Sequence, residues 1–162
     1  DENAGRTADV INRTRPDFVR LRTLQIFQAT PLEEAVQNGD FIDVEEEDVV
    51  REIRNLIAGI TVSTRIISDS ATNLVDVNGN ALSDRDAMLE KLDAYLALGP
   101  REKLLFGLRS RLSAFIGQYG ELSPEIFAAI RLWIRDGKLD CSGADVAGLR
   151  QTIRLIRNRL MP

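Results

Sequence analysis

DVEEEDVVREIRNLIAGITVSTRIISDSATNL, residues 43–74, spaces its apolar side chains as one broad helical face. Val49, Ile53, Leu56, Ile60, Ile67 and Leu74 step mostly by three, four and seven, with Val50 and Ile57 as a second row. Asp43 is placed to cap the start, with Glu46 three residues on. Glu45, Glu47 and Asp48 add negative charge where the helix dipole favours it. The weak point is Gly59–Thr64: a helix-interior glycine costs about 1 kcal/mol against alanine, and the β-branched residues after it cost a few tenths each. Read locally, ITVSTRII is a strand. The apolar steps stay in phase on both sides of Gly59, so the spacing predicts a long central helix kinked there.

Working outward, residues 1–14 are polar and without a clear period, which predicts a flexible N-terminal arm unless Val10 and Ile11 dock it. Phe18, Leu21, Leu24, Ile26 and Phe27 suggest a first helix opened by Pro16. Thr30-Pro31 with Glu33 starts a short second helix that stops at Asn38-Gly39. Phe41, Ile42 and Val44 form a brief extended link. Val77–Asn80 is the clearest turn and a candidate sub-boundary.

Beyond it, Ser83 caps a helix carrying Met88, Leu89, Leu92, Tyr95 and Leu96. Gly99-Pro100 opens the next, with Leu104, Leu105, Leu108, Leu112, Phe115 and Ile116 inward and Gly120 as stop. Ser123-Pro124 starts a helix over 124–135, whose Ile126, Phe127, Ile130, Trp133 and Ile134 make the most aromatic face; Asp136-Gly137 ends it. Ser142, with Asp145 three residues on, caps the last helix. The expectation is an all-α fold: a single-domain helical bundle of six to seven helices over residues 15–162.

Composition narrows the function classes. The 162 residues are 44% hydrophobic and 28% charged, values of a water-soluble globular protein, and no apolar run is long enough to span a bilayer. The absence of histidine removes histidine bases, triads and metal ligands, and one cysteine cannot build a thiolate cluster. No phosphate-loop, dinucleotide or zinc-protease motif occurs, so neither catalysis nor a cofactor is expected. Asp76–Asn80 alternates oxygen ligands, but its glycine comes too early for a calcium loop, and twelve from Asp76 falls on Ala87. Cys141 reads as incidental, with Asp140 opposing any lowering of its pKa. A reducing compartment, the cytoplasm, suits a lone cysteine. A secreted effector is the other reading, because the chain starts at Asp1 without methionine and a targeting segment could have been removed.

The net charge of −4 is uneven: residues 1–80 hold 15 acidic and 8 basic side chains, residues 81–162 hold 10 and 13. The last helix concentrates the interest. Val146, Leu149, Ile153, Ile156 and Leu160 form a narrow apolar seam, Arg150, Arg154 and Arg157 share one flank of it, and Leu155 points away. Such arginines either cover the core with their stems and pair with nearby acids, or form a ridge for an acidic partner. Helix 124–135, the turn after it and the arginine-bearing helix loosely resemble a helix-turn-helix. The turn is too long and the protein too acidic, which disfavours nucleic acid. The sequence therefore points to a non-enzymatic protein-interaction module (adaptor, regulator or effector) with a protein partner of acidic character. Its candidate contacts are Arg150, Arg154, Arg157, Trp133 and Leu155; a nucleic-acid-binding regulator using the same arginines is the alternative.

Overall fold

A computed structural model describes residues 2–140 and 145–161. Among them are seven α-helices and five short strands. The chain divides into two compact units: Asp1–Thr23 with Val44–Leu98, and Leu24–Asp43 with Gly99–Pro162. Each has its own apolar core. Val77–Asn80, expected as a turn and sub-boundary, lies inside the first unit, and its Gly79–Asn80 is a short strand.

In the first unit, residues expected to form a loose arm make helix α1 (Glu2–Thr14), burying Ala4, Ala8 and Ile11. This face is built largely from alanine, so its spacing of four and three carries little hydrophobic signal. The missing Cβ of Gly59 is what lets α1 approach α3 (Glu46–Gly59): a Cβ there would stand 2.9 Å from the Ala8 Cβ. Helix α3 ends there instead of kinking and continuing to Leu74. The Asn12 side chain takes the freed backbone groups, donating from Nδ2 to the Gly59 carbonyl at 2.9 Å and accepting from the Thr61 N–H at 2.7 Å. Past this stop the β-branched run goes extended, and Arg65–Ile67 becomes strand β2.

Its neighbours are β1 (Phe18–Arg20), parallel, and β3 (Gly79–Asn80), antiparallel. The helix expected from Arg15 is therefore a strand and an extended segment. Leu21, Thr23 and Gln25 are buried while Phe18, Arg20, Arg22 and Leu24 are exposed, an alternation of period two. Asn73 ties this segment down: its amide donates to the Leu21 carbonyl (2.9 Å) and Ser68 Oγ (2.8 Å), and its oxygen accepts from the Thr23 N–H (2.9 Å). Helix α4 (Arg85–Leu96) buries Met88, Leu92 and Tyr95 as its spacing predicts, though its cap position is Asp84, not Ser83.

Helices α3 and α4 are also joined by Arg54 Nε, which donates to Asp93 at 2.7 Å. That hydrogen bond holds the Asp93 carboxyl below the usual carboxylate range. A depressed carboxylate pKa contributes stability at neutral pH that is lost as pH falls through the folded value.

In the second unit, α2 (Pro31–Asn38) starts and stops as its signals require: Thr30 Oγ1 accepts from the Glu33 N–H, and Gly39 closes it at φ +79°. Helix α5 (Pro100–Tyr119) opens with Glu102 accepting from the Gly99 N–H at 2.8 Å and ends at Gly120; Leu108, Leu112 and Phe115 are buried, but Ile116 is exposed. Helix α6 (Pro124–Ile130), capped by Ser123, is shorter than expected. A 3-10 turn (Arg131–Trp133) follows. Asp136-Gly137 then does not simply end a helix but turns a hairpin between β4 (Ile134–Arg135) and β5 (Lys138–Leu139), with φ of +50° and +73°. Among the described residues this hairpin stands where a helix-turn-helix would need a single turn. Helix α7 (Val146–Arg157) is capped by Asp145; the cap expected at Ser142, and Cys141, lie outside the described residues.

Two measurements check this architecture. Gly59→Ala, which in an open helix would stabilise, is expected to cost about 1–3 kcal/mol in urea unfolding because the new methyl meets Ala8; an unchanged or raised midpoint contradicts that packing. Arg54→Met is expected to raise the Asp93 pKa in an NMR titration, and an unmoved value contradicts the bond.

Candidate functional site: the two faces of helix α7

Helix α7 buries Leu149, Ile153 and Ile156, and Leu160 just past its end, against the core of the second unit, as the seam predicts, while Val146 remains exposed. Its C-terminal carbonyls are covered by the buried Gln25, whose amide donates to the carbonyls of Arg157 (2.7 Å) and Leu160 (2.6 Å). Nothing in the local sequence marks Gln25 for this role, because its partners lie more than a hundred residues away.

The flank of the seam holds a buried ion pair. Arg157 is 1% exposed, and its Nη2 donates to both carboxylate oxygens of Asp43 at 2.8 Å. Arg154 Nη2 donates to the Asp43 carbonyl at 3.3 Å, and its Nε lies 3.7 Å from the same carboxylate. Asp43 therefore does not cap α3, whose cap position is Glu45; a guanidinium is the stronger partner for a carboxylate than an exposed helix N–H. Arg157, a candidate partner contact by sequence, is turned inward. Arg150 is exposed on α7 and has polar contacts within the protein. The three arginines are thus not one open ridge.

Trp133 is buried in the core of this unit, with its indole Nε1 donating to Thr152 Oγ1 at 3.1 Å. Its ring packs toward Gly148, where a Cβ would come within 3.5 Å of it. Trp133 forms one wall of a groove of about 590 Å³ between α6, the 3-10 turn and α7, together with Leu132, Gly148, Gln151, Arg154 and Leu155. Leu132 is 73% exposed at its rim. Leu155, half-buried, also lines a second pocket of about 460 Å³ with Ile26, Phe27, Val36 and Asp43. The position that breaks the seam pattern is thus shared by two cavities. Leu132 is the residue that sequence reasoning misses, although on a wheel of helix 124–135 it already falls opposite Ile126, Ile130 and Trp133.

No group of three or more potential metal-ligating side chains occurs among the described residues, and no helix there is long and apolar enough to cross a membrane. No family model, curated protein or solved structure matches the chain.

The Asp43 pair is testable. Asp43→Leu leaves the Arg157 charge buried and is expected to cost about 3–5 kcal/mol, whereas Asp43→Leu with Arg157→Met recovers most of the loss. Chemical denaturation of the four proteins of that cycle measures it; a single variant as stable as the parent contradicts the coupling.

Proposed function

We propose that this protein is a non-enzymatic protein-interaction module that holds a partner in the groove between α6, the 3-10 turn and α7. The observation that carries the reading is Leu132. A leucine 73% exposed beside Leu155, over a wall formed by a buried tryptophan, is apolar surface arranged around a concavity. An apolar side chain of a partner entering there displaces water from Leu132, Leu155 and the rim of Trp133, while Arg154 and Asp145, both lining the groove, give it charge of both signs. The histidine-free sequence supports binding over acid–base chemistry. Arg154 and Arg157 already face Asp43, which weakens the case for a phosphate-gripping ridge and hence for nucleic acid.

A photo-crosslinking amino acid at position 132 tests the groove, with one at the exposed Glu90 of the first unit as control. The expected result is a discrete protein adduct from position 132 alone, lost when Leu155→Asp is introduced without change in melting midpoint. Identical adducts from both positions, or persistence of the adduct in Leu155→Asp, would overturn the assignment.

A further inference from the structure

Residues 24–43, LQIFQATPLEEAVQNGDFID, form a strap within the second unit that carries four acidic and no basic side chains. Both of its ends are fixed to α7, by Gln25 at one and Asp43 at the other. Between them α2 buries none of its residues. The apolar side chains left outward are large: Ile42 is 80% exposed, Phe27 47% and Phe41 38%. Phe27 and Val36 line the pocket of about 460 Å³ that Asp43 also lines, so Phe41 and Ile42 directly precede a pocket residue. Glu34 and Asp40 stand exposed on the same strap.

We infer that the strap is a second docking surface, distinct from the groove under Leu132, and that its occupant is a basic amphipathic segment of a partner protein. Two properties of the patch select that occupant. Its apolar side chains call for an apolar stripe, because exposed aromatic and aliphatic side chains of this size gain most by leaving water. Its exposed acids Glu34 and Asp40 call for lysine or arginine beside that stripe, since Asp43 already faces Arg157 and Arg159, the one cation lining the pocket, is paired with Glu125. A second copy of the same chain is a poor fit: in a two-fold contact the patch would meet itself, bringing Glu34 and Asp40 against their own copies. Phosphate-bearing partners are repelled for the same reason. The inference does not rest on the groove: Leu155 lines both cavities, but Phe27, Glu34, Asp40 and Ile42, the residues varied below, lie outside the groove's lining.

Fluorescence anisotropy with a synthetic leucine–lysine amphipathic helix, and its leucine–glutamate counterpart, tests the strap on the full chain. The lysine peptide is expected to bind with an affinity that falls as salt rises, and the glutamate peptide not to bind. Phe27→Ser with Ile42→Ser, both exposed and so of little cost to folding, is expected to weaken binding by about tenfold or more. Glu34→Lys with Asp40→Lys is expected to weaken it similarly, whereas Glu90→Lys with Glu121→Lys, an equal charge change at exposed sites elsewhere, leaves it nearly unchanged. No binding of the lysine peptide overturns the inference. So does equal weakening by the two charge pairs, since attraction would then follow net charge alone. Indifference to Phe27→Ser and Ile42→Ser, or a dimer in light scattering that Ile42→Ser dissolves, also overturns it.

Discussion

A guanidinium removed from water must find a carboxylate, and the second unit is arranged around that demand. Arg157 is the most completely buried charged group on α7, and Asp43 answers it with both oxygens. Because Asp43 ends the strap whose beginning is held by Gln25, one ion pair and one amide determine where twenty residues of chain run. Those residues need no buried side chain on α2 to stay in place. They can therefore keep phenylalanine and isoleucine outward, which a helix held by hydrophobic packing could not.

The same helix supports both surfaces. Leu155 lies on the wall of each cavity, and Arg154 runs from the groove toward Asp43. The strap carries four acidic and no basic side chains, whereas the groove lining holds both Arg154 and Asp145.

Features set by neighbours in sequence are legible in the chain. Thr30-Pro31, Gly99-Pro100 and Ser123-Pro124 begin helices, Gly39 and Gly120 end them, and the α7 seam is buried from Leu149 to Leu160. Features set by distant partners are not. Whether ITVSTRII continues a helix depends on Ala8 reaching Gly59 and on Asn12 closing the helix end. Its strand partner is Phe18–Arg20, whose alternation is hidden among residues that also suit a helical wheel. Likewise Arg157 reads as a flank residue until Asp43 is found opposite it. The hairpin at Asp136-Gly137 was available locally, since Asp-Gly between short apolar runs is a strong turn signal, but a helix end uses the same dipeptide.

The strap also bears on how the protein is made. Synthesis proceeds from the N-terminus, and every residue of the first unit has left the ribosome once Leu98 is out. Asp43 must wait: its counter-ion lies 114 residues downstream. During that interval the acidic, phenylalanine-bearing strap is tethered between segments already able to fold, with no α7 to bind. Early compaction of residues 44–98 shortens the span of loose chain that must close, which lowers the entropy of finding Arg157. It also means that the nascent strap is exposed before its own unit exists, a period in which a chaperone could meet it first.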